Sequence, residues 1–148
     1  MQQNLFNIYD FIKIFYPFSP RRYKDSNGID KIGYGHKCEQ NDGLELLTED
    51  EAFKLLTEDL ELAISSILYL VTAKINANQM NALVALVYDV GNNAFEQSKL
   101  RQIVNLGDLT KLPEGFLQFS LVRDTHTSLE MLRKRVAELE LFQRPLEA

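Results

Sequence analysis

Between Arg22 and His36 the chain gathers a carboxylate (Asp25), an amine (Lys31), a phenol (Tyr34) and an imidazole (His36) around Gly28, Gly33 and Gly35. A carboxylate can act as base or nucleophile, an imidazole exchanges protons near neutral pH, and an amine beside the carboxylate lowers its basicity. The bland reading of Asp25 and Lys31 is a cross-strand ion pair worth at most ~1 kcal/mol. Tyr16, between Phe15 and Phe18, suits an aromatic cluster. His126 lies in a polar loop with no nucleophile beside it, and the two histidines are far apart in sequence. No His/Asp/Glu group has ligand spacing, so neither a metal nor a cofactor is expected. Cys38 stands alone, which excludes an intramolecular disulfide, a thiolate zinc site and a Cys-x-x-Cys redox pair.

These residues sit on a short β segment framed by helices. Leu5, Ile8, Tyr9, Phe11, Ile12 and Phe15 recur at helical spacing, with Asn4 or a neighbour as cap and Pro17 and Pro20 ending the run. Pro17 also pushes Tyr16 out of helical geometry, to the helix exit. Ser26-Asn27-Gly28 reads as a turn joining strands over 22–25 and 30–34. Thr48 and Glu51 form a capping box that opens a long amphipathic helix through Leu68, fit to link two lobes. Asn76 to Gln79 starts a more uniformly apolar helix, Met80 to Val90, which Gly91 stops and which should centre the second lobe. Further helices are expected over 96–106, 114–121 and 129–142, separated by Gly107-Asp108, Pro113 and a polar loop over 123–127.

The 148 residues, 45% of them apolar, suffice to bury a core without disulfides or metal. The formal charge of −5 disfavours nucleic acid, where sequence-independent affinity comes from Lys and Arg displacing counterions. The N-terminus lacks a basic region followed by an unbroken apolar run, and no stretch reaches the ~20 apolar residues of a membrane helix. A soluble protein made in the cytoplasm, with no membrane partner, is expected, one that would need a holin or a secretion machine to reach a cell wall. Acids from Glu45 to Glu61 surround a helix start, where negative charge complements the helix dipole; they form a solvated face or a docking surface for a basic partner. Arg133, Lys134 and Arg135 are expected to neutralise nearby acids.

Three blocks carry a family resemblance: Arg22 to His36; Asn78-Gln79-Met-Asn-Ala82-Leu83-Val84 with Val90-Gly91-Asn-Asn-Ala94-Phe95-Glu-Gln-Ser98; and Arg133-Lys134-Arg135-Val-Ala-Glu138-Leu-Glu-Leu141-Phe142. In order and spacing they resemble phage-type lysozymes, the endolysins of glycoside hydrolase family 24, from roughly Ile8 to Phe142. The resemblance implies a mainly helical α+β fold: one lysozyme-like domain over residues 1–148, with a small β-hairpin lobe and a helical lobe. It also implies an N-acetylmuramidase site in a cleft that Tyr34 and His36 would border, with His36 ion-paired to an Asp of the other lobe.

The same resemblance exposes two departures. The family's general-acid Glu falls at Tyr16 and its Thr, thought to place the attacking water, falls at Lys31; only Asp25 is retained. Glycoside hydrolysis usually needs two carboxyl groups, one of them with a raised pKa. A phenol with a pKa near ~10 is a poor proton donor to a glycosidic oxygen. Asp10 and Asp30 are badly placed to replace the missing acid, while Glu39 and Asp42 stay open. The expectation is a pseudo-muramidase that binds a protein partner or cell-wall glycan, of phage or prophage origin. The alternatives are a weak or altered peptidoglycan hydrolase using Asp25 and, third, a structural role in a virion or secretion apparatus.

Overall fold

The computed structural model describes residues 7–122 and 126–146. Its architecture is mainly helical with a small three-stranded antiparallel sheet. By their contacts the residues divide into two compact units, one over Asn7–Glu61 and the other from Leu62 onward.

The first unit begins with α1, Ile8–Phe15, capped by the side chain of Asn7. The expected cap at Asn4 and the expected helical Leu5 lie outside the described residues. The helix ends at Tyr16, whose backbone (φ −130°, ψ 74°) has left the helical region as Pro17 demands. Strands β1 (Ser19–Lys24) and β2 (Asp30–Gly33) form the expected hairpin, with Tyr23 opposite Lys31 and Lys24 opposite Asp30. The first strand starts three residues before the expected Arg22, and a third strand, β3 (His36–Lys37), adds to the far edge of β2. Two residues are too short a run to show alternation, so pattern alone misses it.

Helix α2 runs 22 residues, Glu49–Leu70. The Thr48 hydroxyl accepts from the Glu51 amide and the Glu51 carboxylate from the Thr48 amide, which makes the capping box. Leu56, Leu60, Ala63, Ile67 and Leu70 are buried at alternating spacings of four and three, a stripe along one face of the helix. The far end of α2, itself part of the second unit, is tied down by side chains of that same unit. Arg101 Nε and Asn105 Nδ2 both donate to the Leu70 carbonyl, and Asn105 Oδ1 accepts from the Thr72 amide.

The second unit is built on α3, Ala77–Val90, with the Asn76–Gln79 capping box at its start and Gly91 at its end. Ala82 to Val87 are all buried, consecutive apolar residues covered on every side of the helix. The helix expected over 96–106 is two helices, α4 (Asn92–Glu96) and α5 (Lys99–Leu106). The reason is Ser98, whose hydroxyl donates to the Phe95 carbonyl and accepts from the Arg101 amide, ending one helix and capping the next. Pro113, expected as a separator, sits in the first turn of α6 (Leu112–Leu117), where its missing N–H costs nothing. Residues 118–120 make a 3-10 turn, and β4 (Leu121–Val122) pairs with β5 (His126–Thr127) where a polar loop was expected. Residues 123–125 of that loop lie outside the described residues.

Helix α7, Leu129–Gln143, packs on α3 and α6 and carries the basic cluster. Arg135 is fully buried, with Nη2 2.5 Å from Asp89 Oδ2 and 3.2 Å from Glu138 Oε2. Lys134 Nζ lies 3.5 Å from the same Asp89 oxygen. Arg135 Nε approaches Glu138 Oε1 to 2.8 Å but is misaligned for a hydrogen bond. Burial pushes the Glu138 carboxyl up to about 8; the Asp89 charge adds to this and the Arg135 and Lys134 cations offset only part of it.

Because this value lies above the 4.5 of an ordinary glutamate, folding takes up a proton at Glu138. Its contribution to stability is therefore full at acid pH and is lost as the pH rises toward 8. Urea unfolding of the protein should show stability declining between about pH 5 and 8, and Glu138→Gln should flatten that decline. An unchanged slope in a folded Glu138→Gln variant would place the proton uptake elsewhere.

Candidate functional site

The site is the β1–β2 turn and the residues beneath it, all within the first unit. Asp25 closes the turn: its amide donates to the Ile29 carbonyl and its carbonyl accepts from the Gly28 amide, with Gly28 at φ 77°. Its Oδ1 accepts from the amides of Asn27 (2.8 Å) and Ile29 (3.0 Å). Its Oδ2 lies 2.9 Å from Lys31 Nζ. Burial alone would raise the Asp25 pKa, but the Ile29 and Asn27 amides and the Lys31 ammonium outweigh it, and the carboxyl stays below the usual range.

Lys31 is 3% exposed, so the pair is a buried one and not the surface cross-strand pair that strand alternation suggests. Its ammonium lies 5.0 Å from the centroid of the Tyr16 ring, a cation–π contact. Tyr16, 6% exposed, lies against Gly35. A Cβ on Gly35 would come within 2.5 Å of Tyr16 Cδ1, and Gly35 has φ +83°, so both space and backbone require glycine there. In the expected aromatic cluster, Phe15 pairs with Phe11 and Phe18 with Tyr34.

The other candidates, Tyr34 and His36, each have a charged neighbour. Tyr34 is buried under Lys13, whose Nζ lies 5.1 Å from its centroid, and burial together with Glu49 and Asp50 raises its pKa. His36 Nδ1 lies 2.6 Å from Asp59 Oδ2. Asp59 is on α2 but within the same unit, not the other lobe that the resemblance implied. Of the carboxylates considered as replacement acids, Asp30 and Asp42 are engaged in ion pairs. Asp30 pairs with Lys24 (2.9 Å) and Arg22 (3.8 Å), Asp42 pairs with Arg22, and Asp10 is exposed on α1. The Asp42 carboxylate also accepts from the Glu39 and Leu44 amides, so Glu39 and Asp42 belong to a loop folded around Arg22. Sequence reading overlooked Arg22 and Lys13; a cation among apolar or acidic neighbours was the available signal for each. Among the described residues no group of three His, Cys, Asp or Glu is placed to hold a metal ion.

The model of the family described as phage lysozyme matches residues 13–138, which takes in every residue of this site. The chain belongs to the phage lysozyme family. It is 34% identical to the endolysin of Salmonella phage P22 over 102 residues, covering 66% of this chain and 69% of the relative. The endolysin of Acyrthosiphon pisum secondary endosymbiont phage 1 is 29% identical over 126 residues, 83% of this chain and 86% of the relative. Among solved structures, the muramidase domain of SpmX from Asticaccaulis excentricus superposes with a TM-score of 0.80 at 26% identity, covering 97% of this chain and all of that domain. This member of the phage lysozyme family therefore has the muramidase fold.

Two outcomes test this arrangement. Hydrogen bonding to Asp59 raises the His36 pKa against the lowering by burial, so its contribution to stability is full below about pH 6.5 and is lost as pH rises through the raised value. Asp59→Asn should remove that part of the pH dependence in urea titrations and leave the part due to Glu138. Lys31→Thr, which leaves Asp25 largely buried without its cation, should cost about 3 kcal/mol of stability at pH 7, read from the shift in urea midpoint.

Proposed function

We propose that this phage lysozyme family member binds without cleaving: its fold engages a protein partner or cell-wall glycan, and the muramidase reaction is lost. The observation that supports this most is the Asp25 carboxylate, whose two oxygens are taken by two backbone amides and a buried lysine. A base or nucleophile must offer a lone pair to water or to carbon, and a carboxylate held below its usual pKa by three donors is a weak one. The general acid is missing independently, since Tyr16 stands at its place with its ring against the glycine backbone of the hairpin. Loss of general acid catalysis alone removes roughly 10²–10⁴-fold in rate.

The chemistry has been replaced by packing, with the fold retained around it. A phage or prophage origin, implied by the endolysin relatives, fits a gene freed from lysis and kept for its surface. Release of soluble muropeptides from purified peptidoglycan is the test, with Asp25→Asn beside the unaltered protein. No release above background, with or without retention on the sedimented wall, is expected. Release that vanishes in Asp25→Asn would overturn the reading and make the protein a hydrolase using one retained carboxylate. In the same assay Tyr16→Glu with Lys31→Thr should produce measurable lysis if the remaining substrate contacts are intact.

A further inference from the structure

The outward face of α2 carries apolar side chains that its inward stripe does not need. Leu62 is 66% exposed, Leu68 67% and Tyr69 83%. With Glu58 and Ser65, Leu62 and Tyr69 form a second seam at spacings of four, three and four, opposite in sense to the buried stripe from Leu56 to Leu70. That spacing is the one by which two helices pack knobs into holes. Single exposed leucines are ordinary; Leu62 and Tyr69 seven residues apart, with Leu68 beside them on the same outward face, make an apolar patch that another helix can cover.

We propose that this face is where two copies of the chain meet, α2 against α2 in antiparallel orientation. The seam is self-complementary about Ser65 and Ser66. In a twofold pairing there, Leu62 of one copy lies opposite Tyr69 of the other, and the serines at the centre let the helix backbones approach. The charges agree with the same operator. Exposed Glu58 and Glu61 lie before the seam, and exposed Lys74 follows four residues after the helix end at Leu70. Antiparallel pairing brings the acids of each copy toward the lysine of the other, whereas parallel pairing sets acid beside acid and lysine beside lysine. No cation on the outward face between Leu62 and Leu70 interrupts the apolar part.

This association is independent of whether the Asp25 site has activity. Sedimentation equilibrium of the unaltered chain should show a reversible monomer–dimer equilibrium. Tyr69→Glu, a change at an exposed position that should leave the far-ultraviolet spectrum unaltered, should abolish the dimer. Lys74→Glu should weaken it on the order of tenfold through two symmetric contacts, and Glu58→Lys added to Lys74→Glu should restore it. A protein that remains monomeric up to its solubility limit, or a dimer indifferent to Tyr69→Glu, would overturn the proposal. So would a charge-swapped double variant no tighter than Lys74→Glu alone. A monomer whose Tyr69 face instead captures a different protein would equally refute self-association.

Discussion

A charge taken out of water must bring its counter-charge with it, and the Asp25–Lys31 pair shows how much of a structure that constraint can organise. Neither ion is tolerable alone under the hairpin, since removing one partner of a buried pair costs about 3–5 kcal/mol. Together they close the turn, because Asp25 also receives the Asn27 and Ile29 amides, and they give the Tyr16 ring a cation to lie against. The second unit answers the same constraint differently. There Arg135 is shared between Asp89 and Glu138, with Lys134 nearby, so that α3 and α7 are joined by charge at the centre of an apolar contact.

Helix ends obey a gentler version of the same requirement. Each orphaned amide or carbonyl needs a partner, and here side chains supply it: Asn7, Thr48, Asn76, Ser98 and Ser128 at the starts, Asn105 and Arg101 at the end of α2. Each cap is worth about 1 kcal/mol, little beside the burial of the apolar stripe. Their larger effect is on where elements stop, which decides which side chains reach the site. The exit of α1 at Tyr16 is the clearest case, since one more helical turn would carry the ring away from Gly35.

Much of this was legible beforehand because the signals were local. The capping boxes at Thr48 and Asn76, the glycine turn, the proline after Tyr16 and the periodicity of α3 and α7 need no tertiary information. Ser98 was local too but lay inside an apolar periodicity, and the pattern masked the cap. The depth of Lys31 was not legible: strand alternation says which face a residue takes and not how thoroughly that face is covered. His36 was read as paired with an Asp, and Asp59 is that residue; its membership of the same unit as His36 depends on where α2 passes from one set of contacts to the other. Arg22 was missed because its partners, Asp30, Asp42 and Glu45, are spread along two segments that only folding brings together.

The fit of Tyr16 against Gly35 has a meaning for mutational history. A side chain at position 35 collides with the ring, so as long as Tyr16 stands, a change at Gly35 carries a folding cost that is independent of any activity. The glycine at position 35 is therefore explained by its contact with the ring and its backbone of φ +83°, and is no record of a reaction. Persistence of a residue at so close a contact is what packing alone produces, whatever chemistry its neighbours carry.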